Sequence, residues 1–131
     1  MSDRRILLVE DNAVNRKLAE KLLERLGFEC DQAVDGVDAM EISEGRKYDL
    51  ILLDCSMPRM DGYQFATLFR EREKLAGKSH PTRIVALTAH ALQGDRERCL
   101  EAGMDDYLVK PLKMATLEAA LEVAFGDRLL N

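Results

Sequence analysis

The stretch Asp49-Leu50-Ile51-Leu52-Leu53-Asp54-Cys55-Ser56-Met57-Pro58-Arg59-Met60-Asp61-Gly62 decides the fold. Its first half is an apolar run without polar alternation. Such a run reads as a strand buried on both faces, the kind found inside a parallel sheet. It ends abruptly in a carboxylate, Asp54. Pro58 blocks continuation of the strand, and Asp61-Gly62 has the form of a helix start. Open α/β sheets place ligands at the carboxyl ends of their strands, so Asp54 is the first candidate functional residue.

Working outward, residues 5–9 form a second apolar run, which ends in Glu10 and Asp11. Asn12 is placed to cap the helix that follows. Val14, Leu18, Leu22 and Leu26 make its apolar stripe, while Arg16, Lys17, Glu20, Lys21 and Glu24 are read as solvated. Gly27 is placed to end it. Residues 29–33 are less hydrophobic and read as an edge strand. Asp35-Gly36 is a turn, and residues 37–44 a modest helix turning Ala39, Met40 and Ile42 inward. On the far side, a helix over 61–75 carries Phe65, Leu68, Phe69 and Leu75 on its apolar faces, and residues 74–80 are a polar loop. Residues 83–88 are another buried strand, ending in the hydroxyl of Thr88. The helix around 94–102 has the weakest signal, because Gly94 lowers helix propensity. Residues 107–109 are a short strand finishing at Lys110-Pro111, and Met114, Leu117, Leu121 and Ala124 stripe the last helix. Five strands alternating with five helices predict an α/β fold: a doubly wound, five-stranded parallel sheet with helices on both faces.

Composition sets the remaining bounds. With 131 residues, 47% hydrophobic and 33% charged, the chain is expected to be one globular domain, with a core over about residues 5–125. A net charge of −5 argues against direct nucleic-acid binding, which needs a basic face. No apolar run approaches the roughly 20 residues that span a bilayer. The expectation is a cytoplasmic chain with no membrane contact. Cys30, Cys55 and Cys99 match no zinc or redox spacing and read as free thiols.

In a parallel sheet all strand carboxyl ends share one rim. Glu10, Asp11, Asp54, Thr88 and Lys110 therefore converge. Three crowded carboxylates repel unless something cationic joins them. Mg²⁺ suits them, since it takes oxygen ligands and keeps positions for water or a phosphoryl oxygen. Lys110 offers a mobile point charge and Thr88 a rotatable donor. The reaction class that fits is in-line phosphoryl transfer to a carboxylate nucleophile. Asp54 is the nucleophile in this scheme, and Asp11 with Glu10 holds the metal.

Leu8-Val9-Glu10-Asp11-Asn12, Asp54-Cys55-Ser56-Met57-Pro58-Arg59-Met60-Asp61-Gly62-Tyr63, Ala86-Leu87-Thr88-Ala89-His90-Ala91, Ala102-Gly103-Met104-Asp105-Asp106-Tyr107 and Lys110-Pro111 follow one another in order. Together they resemble the receiver domains of two-component response regulators, most of all those attached to hybrid histidine kinases. The resemblance implies a flavodoxin-like strand order 2-1-3-4-5. It implies that Asp54 accepts a phosphoryl group from the phosphohistidine of a histidine kinase or a histidine phosphotransfer protein. Mg²⁺, with Mn²⁺ as alternative, would be held by Asp11, Asp54 and the backbone carbonyl of Ser56, with Glu10 acting through water. Thr88 and Lys110 would bind phosphoryl oxygens, helped by backbone N–H groups near Cys55 and Ala89. Tyr107 would be the aromatic switch coupled to Thr88, and His90 would tune the access of water. Asn15, Leu18 and Pro111 would dock the phosphodonor. The Lys110–Pro111 bond would be cis. No chemistry is implied beyond the domain's own phosphorylation and dephosphorylation, and the expected state is a monomer or weak dimer.

Each residue also has a plainer explanation. Glu10 and Asp11 could be acids near a helix N-terminus, Thr88 a turn residue, Lys110 a solvated one and Tyr107 half-buried core. Met57 and Met60 read as packing, Asp61 as an N-cap, and Cys55 as filler. A magnesium-dependent phosphatase would share the nucleophile but place a second acid where Ser56 stands. A nucleotide- or flavin-binding domain would need a glycine-rich phosphate loop after Val9, which is missing. A docking module that is never phosphorylated is the remaining alternative.

Overall fold

The computed structural model describes residues 5–77, 81–89 and 93–126. His80 and His90 lie outside the described residues. Five strands, β1 (Ile6–Val9), β2 (Asp31–Ala33), β3 (Leu50–Asp54), β4 (Arg83–Thr88) and β5 (Asp106–Val109), alternate with five helices. The helices are α1 (Ala13–Arg25), α2 (Gly36–Ser43), α3 (Gly62–Ala76), α4 (Gln93–Ala102) and α5 (Met114–Phe125). All strand pairs are parallel, in the order β2-β1-β3-β4-β5. This is the flavodoxin-like doubly wound order expected above.

The strand residues sort by alternation into two cores. Leu7, Val9, Ile51, Leu53, Ile84 and Ala86 pack with Ala39 of α2, Phe65, Ala66 and Phe69 of α3 and Cys99 of α4. Ile6, Leu8, Leu50, Leu52, Val85 and Leu87 pack with Ala19 and Leu23 of α1 and Leu117, Leu121 and Phe125 of α5. Every residue of β1 and β3 is buried, which is why their sequences carry no polar alternation. Local signals set the helix starts. Asn12 accepts from the Asn15 N–H, Asp35 from the Asp38 N–H, and Asp61 forms a reciprocal capping box with Gln64.

The helix faces differ from the sequence stripes. In α1 the buried residues are Ala19 and Leu23; Leu22 and Leu26 are half-buried, and Val14 and Leu18 are exposed. An i, i+4 series advances about 40° round the helix at each step, so four members cannot stay on one face. In α3 Phe65 and Phe69 face inward as expected, but Leu68 and Leu75 are exposed. The inward position one turn beyond Phe69 is taken by Glu73. In α5 Leu117 and Leu121 are buried together with Phe125, whose ring stacks on Phe28 at 5.2 Å. Met114 and Ala124 are only half-buried. β2 begins at Asp31, two residues later than its sequence suggests, and α3 runs one residue further, to Ala76.

Candidate functional site

Register aligns the strand ends. Val9 lies beside Leu53, Asp54 beside Leu87, and Thr88 beside Val109. The backbone ladder continues one step further, with Glu10 N–H donating to Ala33, Cys55 N–H to Leu87 and Lys110 N–H to the Thr88 carbonyl. The residue ending each strand is therefore held by main-chain bonds before its side chain does anything. Gly62 completes the frame. A Cβ there would meet the Asp54 carbonyl oxygen at 2.5 Å, so α3 can start against the Asp54 backbone only with glycine at this position.

On this rim Glu10 and Asp54 are buried and Asp11 is exposed. Each offers a carboxylate oxygen, and the three atoms lie within 4.8 Å of one another. Lys110 Nζ reaches two of them, at 2.9 Å from Asp54 Oδ1 and 3.2 Å from Glu10 Oε1. Asp54 Oδ1 also accepts from the Ser56 N–H at 3.2 Å, so the loop after β3 curls back over the acid. Glu10 Oε2 accepts from the Asn12 N–H at 3.1 Å, and the Arg16 guanidinium donates to the Glu10 carbonyl at 2.9 Å.

The electrostatics are under-compensated. Burial, reinforced by the hydrogen bond and charge of Asp54, raises the Glu10 pKa to about 7, against the opposing pull of the Asn12 N–H and Lys110. Burial alone would lower the Lys110 pKa. The hydrogen bond and charge of Asp54, with Glu10 behind it, outweigh that and raise it, so the ammonium keeps its charge. One ammonium facing three carboxylates leaves net negative charge in a partly dry site. An all-oxygen donor set of this charge fits a hard divalent cation such as Mg²⁺ or Mn²⁺.

Lys110 thus touches Glu10 and Asp54, the Asp11 carboxylate lies within 4.8 Å of theirs, and Ser56 touches Asp54 through its N–H. Thr88 is buried at the end of β4 on the same rim. Tyr107 sits half-buried on β5 opposite Ala86, packed on the core that α2, α3 and α4 cover. The Lys110–Pro111 peptide is cis. Asn15, Leu18 and Pro111 converge: together with Glu10, Lys110 and Leu112 they line one small cavity of about 30 Å³ beside the carboxylates. Met57 and Met60 pack on the core, and Cys55 is buried with its thiol pushed up to about 12, above all by burial.

Three contacts go beyond the sequence reading. Arg16 was assigned to the solvated face, yet it holds the Glu10 backbone. Asn12 serves both as helix cap and as donor to Glu10. Arg59, in the loop after Asp54, forms a two-point ion pair with Asp35, 24 positions away. Only the last is invisible in principle, since no spacing rule joins residues so far apart.

Known proteins are similar to this chain in sequence and fold. The sequence pattern of the response regulator receiver domain matches residues 6–122. Hybrid signal transduction histidine kinase F of Dictyostelium discoideum is 43% identical over 113 residues, covering 86% of this chain but 10% of that protein. The receiver domain of sensor histidine kinase PA1611 from Pseudomonas aeruginosa PAO1 is 43% identical, with a TM-score of 0.81 and coverage of 95% of this chain and 99% of that one. That structure has a magnesium ion coordinated in its active-site cleft. The receiver domain in the complex of Ssk1 with the histidine phosphotransfer protein Ypd1 of Saccharomyces cerevisiae is 29% identical, with a TM-score of 0.89 and coverage of 96% and 91%. The chain spans only 3% to 13% of the length of the curated relatives it matches. The match over residues 6–122, on a parallel sheet whose rim gathers Glu10, Asp11, Asp54 and Lys110, establishes that this chain belongs to the response regulator receiver domain family of two-component phosphorelays.

Proposed function

We propose that Asp54 is the phosphoacceptor of this receiver, charged by the phosphohistidine of a histidine kinase or a histidine phosphotransfer protein. The observation that carries this is the Lys110 ammonium bridging Asp54 and Glu10 at 2.9 and 3.2 Å, beside a third carboxylate. Glu10, Asp11, Asp54 and the Ser56 carbonyl would hold Mg²⁺ or Mn²⁺, which when bound neutralises the carboxylates and the incoming phosphoryl oxygens. An Asp54 carboxylate oxygen attacks phosphorus in line. The P–N bond to the donor imidazole breaks, and the imidazole leaves with a proton. Lys110 follows the new charge, and Thr88 donates to a phosphoryl oxygen.

The aspartyl phosphate adds about −1.5 to −2 charges to a buried position. Lys110 and Thr88 are drawn toward it, and Tyr107 follows Thr88, shifting the population between two states of the α4–β5–α5 face. The donor docks on α1 beside the Lys110-Pro111 loop, with Asn15, Leu18 and Pro111 as contacts. Their shared cavity next to the carboxylates, the exposure of Leu18 and Val14, and the Ypd1-bound relative support this surface. Residues 5–125 act as one cytoplasmic receiver unit, monomeric or weakly dimeric, with no turnover of external substrates.

The test is incubation with acetyl phosphate and Mg²⁺, read by intact mass. Wild type gains one phosphoryl group that is lost in hydroxylamine, and Asp54→Asn gains none. Equal uptake by both proteins would sink the assignment.

A further inference from the structure

The loop between Asp54 and α3 carries Ser56 and must present it to the ion. Two backbone contacts tie this loop to its surroundings, and a third, from the Met60 N–H to the Pro58 carbonyl at 2.7 Å, closes a tight turn about Arg59. Gly62 N–H donates to the Cys55 carbonyl, and Gly36 N–H donates to the Met60 carbonyl at 3.1 Å. A Cβ on Gly36 would meet the Met60 carbonyl oxygen at 2.5 Å, so the loop lies directly on the start of α2. Between these closures the chain passes through Arg59 with φ 65°, the only non-glycine at positive φ among the described residues. Left-handed backbone is unfavourable for a residue with a Cβ, so something must hold it there.

The Met60–Pro58 bond fixes the turn locally, and the Arg59 side chain anchors it to the rest of the fold. Its Nε donates to Asp35 Oδ2 at 2.7 Å and its Nη2 to Oδ1 at 3.0 Å, the planar two-point geometry that fixes both partners. Asp35 is itself anchored. It is buried and caps α2 by accepting from the Asp38 N–H at 2.8 Å. The fork therefore ties the loop to a helix end rather than to another loop. Neither residue is among the carboxylates that could hold the ion.

We infer that the Arg59–Asp35 fork is a latch for the metal-binding loop, making Arg59 and Asp35 positioning residues that set the affinity of the site for a divalent cation. The latch rests on the metal site proposed above. It acts by keeping the Ser56 segment over Asp54 before the ion arrives, so that binding does not first have to order the loop.

Electrostatics and positioning predict different outcomes. Arg59→Gln removes a positive charge from the rim, and Coulomb attraction alone would then make Mg²⁺ bind more tightly. Asp35→Asn removes a negative charge, and Coulomb attraction alone would weaken binding. The latch predicts weakening in both, by about tenfold, the lower end of what supporting residues contribute to metal affinity. It predicts the double variant to be no weaker than either single one, because the same fork is lost. Arg59→Lys keeps the charge without the fork and should also weaken binding.

Mg²⁺ is titrated into each protein and followed by amide chemical shifts, with Asp11→Asn as the control that removes a ligand. The spectra also report that each variant is folded. Binding in Arg59→Gln as tight as wild type or tighter, or additive losses in the double variant, would overturn the latch alone. A wild type that binds no Mg²⁺ would overturn the metal site and the latch with it. Parallel weakening in Arg59→Gln, Arg59→Lys and Asp35→Asn, with loss in Asp11→Asn, is the expected result.

Discussion

Both ends of this sheet bury a carboxylate, and the two are treated oppositely. At the amino-terminal end Glu73 of α3 accepts from Arg70 Nη1 at 2.6 Å and from the Thr82 N–H at 2.8 Å. The same arginine reaches Asp105 at 3.0 Å and the Gly103 carbonyl at 2.8 Å, while Asp105 caps the Ile84 N–H. Donors and acceptors are matched there by the chain itself. At the carboxyl end Glu10 and Asp54 share one ammonium with Asp11 beside them, and burial with the neighbouring Asp54 raises the Glu10 pKa to about 7. An enclosed charge that the fold satisfies is a structural tie. An enclosed charge that it leaves unsatisfied is an invitation to an external cation.

The largest effect expected from this contrast is at the satisfied end. Glu73→Ala leaves the Thr82 N–H without its acceptor and takes from Arg70 the buried one of its two carboxylates. Stability should fall by about 3 kcal/mol, the scale for breaking a buried pair from one side. Mg²⁺ affinity should stay at the wild-type value, because the change lies at the opposite edge of the sheet. Urea denaturation and a Mg²⁺ titration of the same variant check both halves. A comparable loss of Mg²⁺ affinity would mean that the two ends are coupled.

At the unsatisfied end the expected effect is smaller and opposite in sign. Mg²⁺ at about ten times its dissociation constant should stabilise wild type by about 1.4 kcal/mol and leave Asp11→Asn unchanged. Thermal unfolding with and without the ion measures this. Equal stabilisation of both proteins would place the cation elsewhere.

The two ends also differ in how far they could be read before folding. The rim was legible because burial on both faces forces β1, β3 and β4 to be apolar, so the polar residue that stops each run stands out. Register then does the rest, and it follows from the parallel order. Glu73 was not legible. Its position in α3 is an inward one by helical spacing, yet a charged residue there reads as solvated. What permits it is a set of donors at Arg70 and Thr82, of which Thr82 lies beyond the helix. Ala19 and Leu18 show a milder version. Which of two neighbours faces the sheet depends on how α1 is rotated, and an i, i+4 stripe does not settle that. The exposure of Leu18 is informative once seen, because it leaves an apolar side chain beside the cavity shared with Asn15 and Pro111.

Asp35 sharpens the contrast from within the carboxyl rim. It lies two residues past the end of β2, as Asp11 lies two past the end of β1, but an arginine answers it. Its hydrogen bond to Arg59 lowers its pKa against the opposing effect of burial, helped by the Asp38 N–H. The folded state thus holds this proton less tightly than the unfolded chain, whose aspartates titrate near about 3.9. Its contribution to stability is present in full above that value. It is lost as pH falls through about 4 toward the lower folded pKa. The amount is small, since Arg59 is more than half exposed and water screens the pair. Asn at position 35 keeps an oxygen to cap α2, so Asp35→Asn isolates the charge. The stability gap between wild type and Asp35→Asn should be constant from about pH 7 to pH 5 and should narrow as pH falls below about 4. A gap that instead widened on acidification would show that Asp35 is strained by its burial, and that the carboxyl rim leaves this acid as unsatisfied as Glu10.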